Sequence, residues 1–471
     1  MSRVVVVGGG LVGLSTAMML TQEGMDVTVL EQDAGQLPDS PAQAWSSWPR
    51  SGVGQFQQAH ILQAPAYGIL RDRIPEALDV LRDADATRFD VSLAMPPSVE
   101  DRTPRPGDDK FDTLITRRAV LEHAVASRVR QSVDIRRGVK VAGLIAGSST
   151  MDGVPHVAGV RTADGAEIRA DLVVDASGRR TRLPDWLAQL GARPPQEETW
   201  DGRTAYYTRF FRSADGKIPD MSGGGLLLQY FDSYSIIVIP ADRGHWSVTV
   251  VVHSFDQDLK ELRHVEKWTD LIRACPNHAH LLEGEAEGGM LIMGGNGDRL
   301  RRFVVDGKPI ATGLLAVGDV VATTNPTYGR GIYLGLAQAV GTTELVRDHL
   351  HDPLELAQEH DTMLAERVVP CYRDTVHLSQ NRADQVAAVV NGHPVETPAD
   401  GERPAHDLFV AGYHDADLFR VILESGLMAT PLEELLARPG VVDRATVAAK
   451  GLEMPVPAGP ARPELLRMLA G

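Results

Sequence analysis

The sequence predicts an α/β fold in which a parallel-sheet domain carries an inserted antiparallel sheet and is followed by a helical C-terminal region. Three observations indicate this arrangement. The chain opens on a β-branched strand, a glycine loop and a helix; residues 204–253 have the pattern of consecutive strands; and a second strand–loop–helix unit starts near residue 314. We expect the two strand–loop–helix units to share one domain that the antiparallel sheet interrupts.

The N-terminal unit has the pattern of a βαβ start. Val4 to Val7 is a β-branched run, as expected of a central parallel strand that is buried on both faces. Leu11 to Glu23 predicts a helix that ends at Gly24, and Val27 to Leu30 predicts the second strand.

The loop between this strand and helix, residues 8–13 with the sequence GGGLVG, matches G-x-G-x-x-G. Gly8 permits the tight turn, Gly10 lets the backbone approach a pyrophosphate, and Gly13 lets the helix pack close to the strand. Glu31 ends the second strand, where a carboxylate can accept hydrogen bonds from both hydroxyls of a ribose. An acid there favours FAD or NAD over NADP. The alternative is a structural glycine turn beside a solvated glutamate.

Two later turns also follow apolar strands. Gly318-Asp319 ends the strand Leu314 to Val317, and residues 325–331, NPTYGRG, precede an apolar helix from Ile332 to about Leu350. The aspartate can accept from a polyol hydroxyl, and the helix N-terminus can stabilise negative charge on a ring edge. Residues 175–180, DASGRR, form the other turn, which carries two cations. An ordinary capped loop is the alternative at both places.

The other segments predict the rest of the fold. Residues 36–107 are rich in Pro, Gly and Asp and are expected to be irregular, and the last ~110 residues are expected to be mostly helical around a linker near 391–404. Helices are predicted at 118–130 and 260–275. Strands are predicted at 139–145, 157–162, 167–174, 206–211, 226–231, 235–239 and 246–252, with Asp164-Gly165 as a hairpin turn.

Together these segments resemble the p-hydroxybenzoate-hydroxylase-like superfamily of FAD oxidoreductases, whose three motifs occur here in order over about residues 3–350. The resemblance implies a Rossmann-like FAD-binding domain with an inserted antiparallel-sheet substrate domain and a helical C-terminal region. We expect the FAD-binding domain at 1–75, 108–185 and 296–360, the substrate domain at 76–107 and 186–295, and the helical region at 361–471.

The resemblance also implies roles for single residues. Glu31 would hold the adenosine ribose, Asp319 the ribityl chain, and Gly331 would open the helix that faces the flavin pyrimidine. Arg117 would contact the phosphate or ribityl side of the cofactor, and the backbone of Val141 would meet adenine. The full set of expected cofactor contacts is Gly8, Gly10, Leu11, Val12, Gly13, Glu31, Arg50, Arg117, Val141, Asp175, Gly318, Asp319, Pro326, Gly329, Gly331 and Ile332.

A narrower resemblance concerns residues 50–55, RSGVGQ, and 58–62, QAHIL. They are similar to the segment beside the flavin in bacterial polyketide epoxidases and related flavin monooxygenases, where the pattern is roughly Arg-x-Gly-Val-Pro-Gln and then His-x-His-x-Leu. This chain departs from that pattern at Gly54 and Gln58. The halogenase signature Trp-x-Trp-x-Ile-Pro is not formed by Trp45 and Trp48, which argues against halogenation.

The function that this resemblance implies is an FAD-dependent monooxygenase that inserts one oxygen atom from O2, by epoxidation or hydroxylation, into an apolar small molecule such as a secondary metabolite. One alternative is a reductase or dehydrogenase of the same fold that acts on an unsaturated lipid-like substrate; the other is a nucleotide-binding protein without oxygenase activity. The antiparallel sheet should form the floor of the substrate pocket. His60 is the candidate acid–base residue, although a structural histidine is the commoner case.

The electron donor is expected to be NADPH or NADH, used directly or through a separate flavin reductase. The turn at 175–178 has Ala176-Ser177 between its aspartate and glycine, whereas the hydroxylases of this superfamily, which dock NADPH there, have Asp-Gly directly. Arg179, Arg180 and Arg182 offer cations for a dinucleotide phosphate, which favours direct use.

Composition excludes several other classes of protein. The formal net charge of −16, from 47 basic and 63 acidic residues, argues against nucleic acid or an anionic membrane as the main partner. Cys275 and Cys371 have no metal-ligand spacing, and no apolar run is long enough to predict a membrane span. With no export signal in the sequence, a cytoplasmic location is expected.

Overall fold

The computed structural model describes residues 1–90, 95–149, 151–202, 204–220, 227–295, 297–395, 403–427 and 430–470. The strands within these ranges are β1 (Arg3–Val7), β2 (Asp26–Glu31), β3 (Thr87–Asp90), β4 (Asp112–Ile115), β5 (Asp134–Arg137), β6 (Val141–Ala146), β7 (Val157–Thr162), β8 (Glu167–Arg169), β9 (Leu172–Asp175), β10 (Gln196–Trp200), β11 (Thr204–Arg212), β12 (Leu228–Tyr230), β13 (Tyr234–Pro240), β14 (His245–His253), β15 (Glu285–Gly294), β16 (Asp298–Arg302), β17 (Val304–Val305), β18 (Lys308–Pro309), β19 (Leu314–Ala316) and β20 (Ala322–Thr323).

The helices of the same ranges are α1 (Leu11–Gln22), α2 (Pro41–Ser47), α3 (Ala64–Arg73), α4 (Pro75–Asp83), α5 (Arg118–Val129), α6 (Leu183–Gln189), α7 (Val265–Ala274), α8 (Gly331–His349), α9 (Pro353–Arg367), α10 (Val369–Val390), α11 (Arg403–Gly412), α12 (Ala416–Gly426), α13 (Leu432–Leu436), α14 (Val441–Ala449) and α15 (Arg462–Ala470). None of these helices is long and apolar enough to cross a membrane.

A five-stranded parallel sheet with the order β19-β9-β1-β2-β5 forms the centre of the first domain. Successive side chains of a strand point to opposite faces, so Val4 and Val6 enter one core while Val5 and Val7 enter the other. Helices α1, α5 and α8 pack on the first face, and the β6-β7-β8 sheet with α6 covers the second. The predicted Rossmann-like arrangement is confirmed.

The segment 36–107, expected to be irregular, contains α2, α3, α4 and β3. A proline stands in the first turn of each of these helices, where its missing N–H has no helical partner in any case. The proline content of this segment predicted irregular structure, but the prolines stand at the starts of helices. Ala77, Leu78 and Leu81 of α4 pack into the first core, so we propose that residues 76–86 belong to the FAD-binding domain rather than to the substrate domain.

The predicted antiparallel sheet is confirmed, with the order β12-β13-β14-β11-β15. One face is sealed by α7 and by α15, whose Leu465 and Leu469 pack beside Trp268. The predicted helix 260–275 is a 3₁₀ turn at Asp258–Arg263 followed by α7. Strand β15 was not predicted, because its glycines and glutamates resemble a loop; pairing with β11 across a register shift makes it a strand.

The C-terminal region is helical, as predicted, but α9 and the start of α10 pack on the first domain. Met363, Leu364 and Tyr372 lie in the core under the parallel sheet. We therefore propose that the first domain extends past residue 360. The expected linker 391–404 lies partly outside the described residues.

Candidate functional site

The glycine loop has the backbone that its motif predicts. Gly8 has φ +107°, and a Cβ there would lie 2.6 Å from the Ala176 carbonyl oxygen. A Cβ on Gly13 would lie 2.0 Å from the Gly8 carbonyl oxygen, which fixes the close approach of α1 to β1. Gly10 faces open space, and no side chain caps the first turn of α1. The free amides of that turn are suited to a phosphate group.

Glu31 lies at the end of β2 on the wall of the same opening and is 5% exposed. The amides of Gly9 and Asp33 donate to its two carboxylate oxygens over 2.9 and 2.8 Å. Arg50 donates to Glu31 over 3.1 Å and to the Gly9 carbonyl over 3.0 Å. The carboxylate is therefore fixed in place, and a lone pair remains for a ribose hydroxyl.

Arg50 starts a chain of alternating charges through the first domain. Its guanidinium lies 3.7 Å from Glu122, and Arg118 donates to Glu122 over 2.8 Å. Arg118 also contacts the Nε2 atom of His60 over 2.8 Å. We call Glu31, Arg50, Glu122, Arg118 and His60 the charge chain.

His60 occupies the end of the charge chain as a neutral ring. Burial, together with the adjacent Arg118, lowers its pKa from 6.5 to about 3. Because Arg118 can only donate, Nε2 of His60 accepts, and Nδ1 then carries the proton that is donated to the Gln58 carbonyl over 3.1 Å. Both ring nitrogens are thus engaged, which favours the structural role over the acid–base role.

Arg117, the expected cofactor contact, lies elsewhere. Its guanidinium donates to Asp242 over 2.6 and 3.1 Å, both side chains are buried, and Trp45 lies against it at 4.9 Å. It does not line the opening, whereas the adjacent Arg118 does. We therefore transfer the proposed cofactor contact from Arg117 to Arg118. The i, i+4 spacing of Arg118 and Glu122 was the local signal that could have selected it.

The late glycine motif lines the same opening and packs beside Val12 of the first loop. Gly318 has φ +67°, and its amide donates to Gln338 over 2.9 Å. Asp319 is half-buried on the wall and accepts no hydrogen bond from the described residues. Burial raises its pKa, partly offset by Arg118 and Arg179. Helix α8 then begins at Gly331 without a side-chain cap. A carboxylate and a helix N-terminus therefore remain available to a ligand.

Asp175 is not on the wall. It accepts from the Ser177 amide over 2.9 Å and from the Thr181 hydroxyl over 2.6 Å, and it is 1% exposed. Burial raises its pKa, and the two donors oppose that effect. Asp175 thus shapes the turn, and the residues that follow it, 176–182, line the opening.

The glycine loop, Glu31 and the late glycine motif border one cavity of about 3690 Å³. It exceeds several-fold the ~300–1000 Å³ of a typical small-molecule site. Every expected cofactor contact except Arg117 and Asp175 lines it. The antiparallel sheet forms its floor, as predicted: Tyr206 and Thr208 of β11 face the cavity, while Tyr207 and Phe211 face the α7 core. Side chains of α10 to α13, which the sequence did not indicate, form the opposite side.

The donor set fits FAD. A phosphate would meet the uncapped first turn of α1, a ribose would meet Glu31, and Asp319 is a carboxylate without a hydrogen-bond donor among the described residues. The glycines of the loop leave open space where a Cβ on Gly10 would otherwise stand.

Comparison with known proteins supports this assignment. The family of FAD dependent oxidoreductases matches residues 3–81. Protein Rv3254 of Mycobacterium tuberculosis is 27% identical over 360 residues, 71% of each chain. The FAD-dependent monooxygenase penE of Penicillium thymicola is 27% identical over 51% of this chain and 47% of its own, so the match spans about half of that relative. The structure of the flavin-dependent brominase Bmp2 is 17% identical and covers 96% of both chains with a TM-score of 0.57.

The family match over residues 3–81 and the monooxygenase relative support an FAD-dependent oxidoreductase, and hence an enzyme. The predicted resemblance to the p-hydroxybenzoate-hydroxylase-like FAD oxidoreductases is confirmed, and the solved structures of similar fold include a flavin-dependent brominase.

Proposed function

We propose that this oxidoreductase is a monooxygenase that inserts one oxygen atom, by epoxidation or hydroxylation, into an apolar small molecule of the secondary-metabolite kind. One observation carries the proposal: the cavity that begins at the glycine loop continues without a wall over the antiparallel sheet. A cofactor and an organic substrate can therefore meet in one continuous cavity. The similarity to the monooxygenase penE supports the same conclusion.

The residues of the chain would bind, orient and exclude water. Glu31 and the α1 amides would hold the adenosine half of FAD, and Asp319 and Arg118 the half that carries the flavin. The N-terminus of α8 would stabilise negative charge on the ring. Bound FAD would supply the redox chemistry with O2. The apolar side chains of the sheet and of α11 to α13 would keep water from the reacting atoms.

Two polar side chains on the wall are poorly suited to accept a proton. His60 uses both ring nitrogens. Tyr206 bonds to Asn325 and Thr327 over 2.7 and 2.9 Å, and burial raises its pKa to about 12. A substrate that reacts without deprotonation, such as an alkene, fits these two residues better than a phenol does. This favours epoxidation over aromatic hydroxylation.

Isotopic oxygen tests the proposal. Reduced holoenzyme is mixed with polyene, terpene and aromatic candidates under heavy O2, and products are analysed by mass spectrometry. One heavy oxygen atom in a product is the expected result. A product that has gained two hydrogens and no oxygen would instead identify the reductase, and a halide-dependent product the halogenase. An FAD-free protein that turns over no candidate would identify the non-catalytic alternative.

We further propose that NADPH or NADH reduces the flavin directly. Arg179, Arg180 and Arg182 line the cavity just after β9 and offer cations for a dinucleotide phosphate. In anaerobic stopped-flow mixing, bleaching of the flavin absorbance by either nucleotide within seconds is expected. No bleaching, followed by turnover when a flavin reductase is added, would replace this route by the two-component one.

A further inference from the structure

The C-terminal region contributes a cation to the substrate side of the cavity. Arg382 of α10 reaches toward the sheet, where its NH2 nitrogen donates to the backbone carbonyls of Phe231 and Tyr234 over 2.6 and 2.9 Å. Its guanidinium lies 5.1 Å from the ring centroid of Tyr230. These contacts fix the guanidinium group on the cavity wall.

Three other arginines on this wall have carboxylate partners. Arg50 pairs with Glu31, Arg118 with Glu122 and Arg330 with Asp374. Arg382 forms no ion pair within the described part of the chain, and its Nε and NH1 atoms donate to none of the residues described. Burial lowers its pKa, as expected of a cation whose charge is not compensated by a partner. Asp232 acts on it only at a distance, because its oxygens accept from Ser233 and from the Arg462 amide.

The surroundings of Arg382 are polar on one side and apolar on the other. Tyr230 and Tyr328 line the cavity beside it, their hydroxyls are hydrogen-bonded to each other, and burial raises the pKa of both, so the pair is uncharged. Tyr328 belongs to the loop before α8, so this polar cluster is next to the proposed flavin position. Apolar side chains of α10 to α13 continue the wall beyond it: Leu378, Phe409, Leu423, Leu427 and Leu432.

We propose that Arg382, Tyr230 and Tyr328 form a head-group site for an anionic oxygen group, a carboxylate or a phosphate, on a substrate whose apolar body lies along α10 to α13. A guanidinium whose Nε and NH1 donors are unused can donate a charge-assisted hydrogen bond to an oxygen of such a group. The inference rests on the proposed function in one respect, that it takes this part of the cavity as the substrate chamber. It makes the substrate amphipathic rather than purely apolar.

Arg382 also tethers α10 to the sheet, so its removal can disturb packing. Such a disturbance would weaken every ligand alike, whereas loss of a head-group site weakens only anions. The ratio of the dissociation constants of a neutral and an anionic ligand of equal chain length therefore separates the two effects. The variant R382K retains a cation and should retain part of the preference, and Y230F removes one hydroxyl without removing charge.

The test is calorimetric titration of the oxidised holoenzyme, without electron donor, with decanoate, decyl phosphate, 1-decanol and decyltrimethylammonium. We expect one of the two anions to bind at least about tenfold more tightly than the alcohol, and which anion does so identifies the head group. R382M should abolish that preference and leave the affinity for the alcohol unchanged. The matched control is R373M, on the same helix and the same wall, where the arginine contacts Glu198 over 3.3 Å; its affinities should equal those of the wild type.

Equal binding of anions and alcohol by the wild type would overturn the proposal, and so would an R382M variant that keeps the preference for the anion. Because no turnover is measured, these results are independent of oxygenation. A protein that binds decanoate through Arg382 but oxygenates nothing would contradict the proposed function alone.

Discussion

Replacement of Glu31 should reduce both the affinity for FAD and the stability of the apoprotein. In Glu31→Ala, Arg50 loses its closest partner while its side chain stays 1% exposed, with Glu122 at 3.7 Å and Asp33 at 4.0 Å as the carboxylates that remain. Breaking a buried ion pair in this way lowers the free energy of unfolding by about 3–5 kcal/mol. Because two carboxylates remain near Arg50, we expect a loss near the lower end of this range. Loss of charge-assisted hydrogen bonds to a ribose costs a further ~2–4 kcal/mol of FAD binding, about 30- to 1000-fold in affinity.

A double variant separates these two effects. Glu31→Ala/Arg50→Met removes the unpaired cation, so the free energy of unfolding of the apoprotein should recover by more than about 1 kcal/mol relative to Glu31→Ala. FAD affinity should not recover, because the ribose acceptor is still missing. Denaturant unfolding of the apoproteins and fluorescence titration with FAD measure the two quantities. FAD affinity of Glu31→Ala within about threefold of the wild type would refute the ribose assignment. A double variant no more stable than Glu31→Ala would refute the argument from buried charge.

Three further predictions concern the same cavity. Asp319→Asn should weaken FAD binding by about tenfold or more. The melting temperature of the apoprotein should not fall, because burial disfavours the charged form of this carboxylate and it accepts no hydrogen bond from the described residues. Unchanged FAD affinity would exclude the ribityl contact. Arg118→Met should lower FAD affinity, whereas Arg117→Met should instead cost about 3–5 kcal/mol of stability and leave FAD affinity intact, as titration and unfolding of the two variants would show; the reverse pattern would restore Arg117 as the cofactor contact. His60 is neutral in the folded protein because burial lowers its pKa from 6.5 to about 3. Above pH 6.5 the ring is neutral in the folded and the unfolded chain, and its contribution to stability is complete. As the pH falls below 6.5 the unfolded chain takes up the proton first, and this contribution is lost. In His60→Gln the free energy of unfolding should therefore fall less steeply between pH 6.5 and 4, and the difference from the wild-type fall should be at most about 2 kcal/mol at pH 5. A dependence on pH with the same slope as the wild type would contradict this.

Local sequence was sufficient to predict the backbone geometry of the glycine loop. Gly8 and Gly13 are at positions where a Cβ would meet backbone atoms, so the spacing of the glycines carries the geometry directly. Glu31 ends β2 and Asp319 lies in the turn after β19, and the C-terminal ends of these parallel strands lie at one edge of the sheet. These residues could be predicted because their environment is fixed by residues close to them in the chain.

Partners distant in sequence account for the features that the sequence did not predict. Arg117 and Arg118 are adjacent in the chain. Which of them faces the cavity depends on Asp242, a buried residue in the turn between β13 and β14. The sequence near residue 117 does not predict the contact with Asp242. The same reason hid Arg382, because the composition of α10 does not reveal which surface the helix covers. Strand β15 likewise became recognisable only through its pairing with β11.

The strand order of the parallel sheet has a consequence for how the chain is assembled in time. β1 is synthesised first but lies in the middle of the sheet, and its second neighbour, β9, is synthesised only after residue 172. Until then one edge of β1 lacks its hydrogen-bonding partner, and such edges pair readily with other chains. Asp319 and Gly331 emerge later still, so the glycine loop and the late glycine motif cannot line one cavity until the chain has been made past residue 331. FAD supplied at that moment should stabilise the newly closed sheet by mass action and raise the yield of protein that does not aggregate.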